Sequence, residues 1–132
     1  MEEFLKLERT KEEINLLSPL TWAYIGDCVY ELYIRTSLVN KTNLKPHKLH
    51  IETIKYVNAK SQAKFLENIQ SKLTDEEKDI VRRARNAKNH HLPKNVEVQE
   101  YKLATAFEAL IGYLFLTKNY KRIEEIINKN IN

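Results

Sequence analysis

Residues 18–39 read SPLTWAYIGDCVYELYIRTSLV. Ser18 followed by Pro19 has the form of an N-cap with proline at the first helical position, where a missing N–H costs nothing and φ is already helical. The stretch after it predicts a helix of about 20 residues, dominated by aliphatic and aromatic side chains and too apolar to lie on a surface. A second apolar segment, LATAFEALIGYLFL at 103–116, predicts a helix from about Glu100 to Thr117. Two such helices belong in a core, and with the helices read along the rest of the chain they argue for an all-α fold.

The rest of the chain agrees. Lys45-Pro46 opens a shorter helix through HKLHIETIKYV. Asn58 begins another, whose Ala59, Ala63, Phe65, Leu66 and Ile69 form an apolar face. Thr74 with Glu77 is a capping box ahead of EEKDIVRRARNAK. The non-periodic NHHLPKNVEV at 89–98 reads as a loop, and Tyr120 to Asn130 as a last helix.

Two Gly and three Pro are too few for the turns of a sandwich or barrel. A chain of 132 residues without a linker, repeat or low-complexity tract makes one domain, 1–132. The longest apolar run, Ala109 to Leu116, is too short to cross a bilayer. The start, Met1-Glu2-Glu3-Phe4, has acids where a secretory leader has cations, so a cytoplasmic protein with no membrane association is expected. Cys28 is the only cysteine; it excludes an intramolecular disulfide or a multi-thiolate metal site and is expected to be a buried, inert thiol.

The net charge is +4, but residues 82–94, RRARNAKNHHLPK, carry five cations and no acid. Three of the six arginines fall between 82 and 85. The cations suit the C-terminal end of a helix dipole, and they equally suit a polyanion. Phosphate is the obvious anion, with Arg82, Arg83, Arg85, Lys88 and Lys94 as candidate contacts and Asn86 as a polar hydrogen-bonding group beside them.

Most acids lie among polar neighbours, but Asp27, Glu31 and Glu108 lie in the two most apolar helices and need partners there. Asp27 and Glu31 share a helical face, and packing of the two helices brings Glu108 toward Asp27. Either a buried Arg or Lys neutralises them, or a hard divalent cation such as Mg²⁺ binds with water and substrate phosphate. Glu31 is a candidate for orienting a metal-bound water, or a partner for Arg35 at i+4. Trp22, Tyr24, Tyr30 and Tyr33 read as core or as a dimer interface. The pairs His47/His50 and His90-His91 lack the Glu of a zinc hydrolase helix and are not expected to bind metal.

AYIGDCVYEL resembles the signature of ribonuclease III catalytic domains, roughly E-F-L-G-D-A-V-L-E-L, and TAFEALIGYLFL resembles that family's second acidic motif, D-x-F-E-A-L-I-G-A-x-x-L. The motifs occupy about 20–34 and 103–116, with the basic helix and loop at about 76–98 between them. Only residues 117–132 follow, too few for a double-stranded-RNA-binding domain, which brings the resemblance closer to the Mini-III branch. Features of that branch also occur at Asn58–Ala63, Arg83–Lys88 and Pro93–Asn95.

The resemblance implies that Asp27 and Glu108 are the catalytic and metal-binding residues. It departs where the broader family has two further acids, replaced here by Ala23 and Thr105. It further implies a homodimeric, Mg²⁺-dependent endoribonuclease, with Mn²⁺ able to substitute, that cuts double-stranded RNA to leave 5′-phosphate and 3′-hydroxyl ends. The implied substrate is a precursor of 23S ribosomal RNA, with a ribosomal protein as a helper. The alternatives are a non-catalytic RNA-binding or ribosome-associated module of the same fold, favoured by Ala23 and Thr105, and a helical protein-interaction domain.

Overall fold

The computed structural model describes residues 5–88, 92–95 and 97–131. Its helices are α1 (Lys11–Asn15), α2 (Pro19–Lys41), α3 (Pro46–Val57), α4 (Ala59–Ile69), α5 (Asp75–Arg85), α6 (Val98–Leu116) and α7 (Tyr120–Ile131), with a single 3₁₀ turn at Gln70–Lys72 after α4. No strand occurs among the described residues, so the all-α expectation holds.

The helix starts follow from their capping residues. The Leu20 N–H donates to Ser18 Oγ at 3.2 Å, with Pro19 at the first position of α2. The Ser61 N–H donates to Asn58 Oδ1 at 2.8 Å and opens α4. Thr74 and Glu77 form the reciprocal capping box of α5, at 3.1 and 2.9 Å. Helix α1, which the sequence reading passed over, opens with the same device at Thr10 and Glu13. One turn is too short to show periodicity, but the T-x-x-E spacing was there to be read.

Helix α6 is the centre of the molecule. Eleven of its residues are buried, all round its circumference from Leu103 to Leu114, because α2, α4, α5 and α7 all pack on it. Edge-to-face ring pairs run through this core: Trp22 with Tyr113 at 5.2 Å, Tyr30 with Phe107 at 4.8 Å and Phe65 with Phe107 at 5.3 Å. The indole N–H of Trp22 donates to the Ile14 carbonyl at 2.9 Å, and the Tyr113 hydroxyl to Asn15 Oδ1 at 2.5 Å, which holds α1 against the core. Helix α7 is fastened by Arg122, whose Nε and Nη2 each donate at 2.8 Å to the buried Glu77. Burial alone would raise the Glu77 carboxyl, but the Arg122 guanidinium and the hydrogen bonds with Thr74 together hold the carboxyl below its usual range.

Helix α2 is less buried than its composition predicts. Trp22, Ala23, Gly26, Val29, Tyr30 and Ile34 face the core, while Tyr24, Leu32 and Val39 are 75%, 60% and 63% exposed. A helix packed mainly on one neighbour covers one stripe, and apolar residues all round it leave the opposite stripe in water. Cys28 lies on that outer face and is exposed, which corrects the expectation of a buried thiol, and Tyr24 is likewise no core residue. Among the described residues no helix is long and apolar enough to cross a membrane.

Candidate active site

The two apolar helices touch backbone to backbone where their glycines meet. A methyl group on Gly26 would lie 1.7 Å from the Glu108 carbonyl oxygen, and one on Gly112 1.8 Å from the Trp22 carbonyl oxygen. Backbones that close admit no Cβ, so both positions require glycine. The consequence for the acids is direct: Asp27 follows Gly26, and Glu108 lies one turn before Gly112.

The carboxyls of Asp27 and Glu108 are accordingly close enough to interact. Asp27 is exposed, whereas Glu108 is largely buried. Burial first, and then the adjacent Asp27 carboxylate, push the Glu108 carboxyl up to about 9. Neither acid has an ion-pair partner among the described residues. Of the two neutralising devices open from the sequence, the structure supplies no basic side chain.

Two facing carboxylates, one half in water and one shielded, fit a hard divalent cation that takes one or two protein oxygens and fills its other positions with water and phosphate. Among the described residues no third His, Cys, Asp or Glu joins them. Ala23 and Thr105, which stand where the broader family has acids, are buried at 8% and 9% exposure.

Glu31 does not join the pair. Its carboxylate accepts from Arg35 at 2.9 and 3.0 Å, one turn along α2. His47 and His50 are exposed on α3, and His90 and His91 lie outside the described residues.

The basic segment divides into two kinds of residue. The Arg83 guanidinium lies 4.7 Å above the Trp22 ring and donates through Nη2 to the Asn15 carbonyl at 2.8 Å, so it holds α1 and α5 to the core. Arg82, Arg85, Asn86, Lys88 and Lys94 are exposed. Arg82 pairs with Asp79 at 2.6 Å across a solvated surface, a contact weak enough to yield to a phosphate. Arg85, Lys88 and Lys94 have no ion-pair partner among the described residues. Lys88 and Asn86 line a cleft of about 340 Å³ that reaches Thr105, one turn before Glu108. Lys88 and Lys102 are the cations that line this cleft. The sequence window at 82–94 missed Lys78 and Lys102, which face the same side; the spacing of 78, 82 and 85 on one helix was the signal.

The two acids thus meet at a helix crossing of an all-α domain, with basic residues on its surface. Residues 20–119 match the family model described as "Ribonuclease III domain", and the chain belongs to that family. The "Mini-ribonuclease 3" of Thermoanaerobacter sp. (strain X514) is 52% identical over 92% of this chain and 86% of its own length. That of Staphylococcus aureus (strain NCTC 8325 / PS 47) is 52% identical over 89% and 90%. Among solved structures, protein FN1578 from Fusobacterium nucleatum matches with a TM-score of 0.78 and 38% identity, covering 84% of this chain and 90% of that one. The chain is thus a ribonuclease of the ribonuclease III family whose homologues are Mini-ribonuclease 3 proteins, an endoribonuclease acting on RNA.

Proposed function

We propose that the protein hydrolyses phosphodiesters of double-stranded RNA with Mg²⁺, or Mn²⁺ in its place, held by Asp27 and Glu108. The observation that carries this reading is the unneutralised carboxylate pair at the α2–α6 crossing. The ion, when bound, supplies a water of lowered pKa and offsets charge on the phosphoryl oxygens. Glu108 must release its proton to serve as a ligand, and the exposed Asp27 presents its carboxylate to the solvent side, where RNA arrives. Arg82, Arg85, Lys88 and Lys94 hold the strand through its phosphates, and Asn86 hydrogen-bonds in the minor groove. Glu31 keeps to Arg35, and its influence on the site is through helix α2. Water adds to phosphorus as the bond to the 3′ oxygen breaks, leaving a 5′-phosphate and a 3′-hydroxyl with no covalent protein intermediate.

One carboxylate pair cuts one strand, so cleavage of a duplex calls for two copies related by a two-fold axis. The exposed apolar stripe of α2 supports a second copy as its occupant. It lines a cleft of about 500 Å³ with Leu5, Ile25, Cys28, Leu32, Tyr33 and Phe115. Stems of large-subunit ribosomal RNA precursors in the cytoplasm are the proposed substrate, with a ribosomal protein as helper.

The test is cleavage of a long duplex RNA by wild type, Asp27→Asn and Glu108→Gln, with Mg²⁺ or with chelator. Wild type with Mg²⁺ should cut, and each variant should lose at least about a hundredfold in rate. Wild-type rates in either variant would remove that residue from the site.

A further inference from the structure

A cleft of about 690 Å³ is bounded by the 3₁₀ turn, α5 and the start of α6. Lys78, Arg82 and Arg85 reach it from successive turns of α5, Gln99 and Lys102 from α6, and Asn86 closes the end of α5. No carboxylate is among the residues that line it. Arg82 has Asp79 beside it, but Lys78, Arg85 and Lys102 have no ion-pair partner among the described residues. Three such cations around one concavity raise the local potential, and an anion between them is attracted to it. The amides of Gln99 and Asn86 add directional donors for phosphate or ribose oxygens.

The cleft is also joined to the active site. It shares Asn86 and Lys102 with the 340 Å³ cleft that ends at Thr105, so one groove runs from Lys78 to within a turn of Glu108. Lys102 precedes Glu108 by six residues of the same unbroken helix, a separation of about 9 Å along its axis. That is a few nucleotide steps along a strand, at roughly 3.4 Å each. Both residues lie on one unbroken helix, so the spacing of their backbones is fixed.

We propose that the cleft is a phosphate-anchoring subsite, in which Lys78, Arg85 and Lys102 hold one phosphodiester of the strand being cut, a few nucleotides from the linkage at Asp27 and Glu108. The inference rests on RNA being the substrate. The anchor sets the register of the strand on a domain that has one rigid helix to measure from.

The experiment uses the full chain and short duplex RNAs that carry a single uncharged methylphosphonate at each linkage in turn. Binding is measured in chelator, and cleavage with Mg²⁺. For wild type, one linkage a fixed number of nucleotides from the cut should weaken binding about three- to tenfold when neutralised. Lys102→Ala and Lys78→Ala should bind uniformly charged RNA weaker by a similar factor, lower the salt slope by about one, and lose the penalty at that linkage. Lys64→Ala, an exposed lysine on α4, is the control for net charge and should keep the penalty. A flat scan in wild type, or the same penalty in Lys102→Ala, would overturn the subsite while wild-type cleavage left the function standing. Displacement by inorganic phosphate with a flat scan would mean a free-anion site, and would also overturn it. Wild type that neither binds nor cuts RNA would remove both.

Discussion

At the scale of the residue, the chemistry of the site is set by where Glu108 keeps its proton. Burial and Asp27 raise its carboxyl to about 9, so at neutral pH and without metal Glu108 holds its proton. A carboxyl raised in the folded state contributes stability that is fully present below its ordinary value of 4.5 and is lost as pH rises through about 9. The metal-free wild type should therefore weaken across that window. Glu108→Gln, which has no proton to lose, should be the more stable protein at pH 8, by on the order of 2 kcal/mol, and show no advantage below pH 4.5. Chemical denaturation of both proteins in chelator across pH 4–9 measures this; an advantage independent of pH would mean that the pair is not coupled. Binding of metal at pH 7 should release close to one proton, visible as a buffer-dependent binding enthalpy.

At the scale of the element, the site depends on how closely α2 and α6 approach. Their glycines leave no room for a methyl group, and the obstructing atoms are backbone carbonyls that cannot turn aside. Gly112→Ala should cost on the order of 3 kcal/mol by overpacking, and should also part Asp27 from Glu108. Ile123→Ala on α7, a buried side chain that takes no part in the glycine contact, should cost a similar amount by leaving a cavity. The two differ in metal requirement: the Mg²⁺ concentration for half-maximal cleavage should rise in Gly112→Ala and stay at the wild-type value in Ile123→Ala. Equal shifts in both would make the glycine contact a matter of stability alone.

At the scale of the whole molecule, the outer stripe of α2 carries the proposed assembly. Leu32 stands 60% exposed in the apolar cleft beside Cys28 and Tyr33. Leu32→Glu places a charge there that solvent tolerates in a monomer and an apolar contact does not. Sedimentation should show wild type as a dimer and Leu32→Glu as a monomer, and the variant should nick duplex RNA rather than cut both strands together. A dimer that persists in Leu32→Glu would place the interface elsewhere.

Much of this molecule was legible before its fold was known, because its signals are local. The Ser18-Pro19 start, the Thr74–Glu77 box and the cap at Asn58 act within three residues, and each opens a helix where the sequence places it. The i+4 pair of Glu31 and Arg35 follows from helix geometry alone. Asp27 and Glu108 could be singled out because acids are out of place in apolar helices. The tertiary structure decided what depends on residues far apart in the chain. Arg83 belongs to a run of basic residues that looks uniform in sequence, yet Trp22 and Asn15 draw it inward. Cys28 and Tyr24 sit in an apolar run, yet they face outward because no other helix covers that stripe. The contact between Asp27 and Glu108, and the cleft that Lys78 and Lys102 share, likewise exist only once α2, α5 and α6 have packed. Short-range hydrogen bonding and helical periodicity are properties of neighbouring residues; which side chains meet across the core is a property of the packed whole.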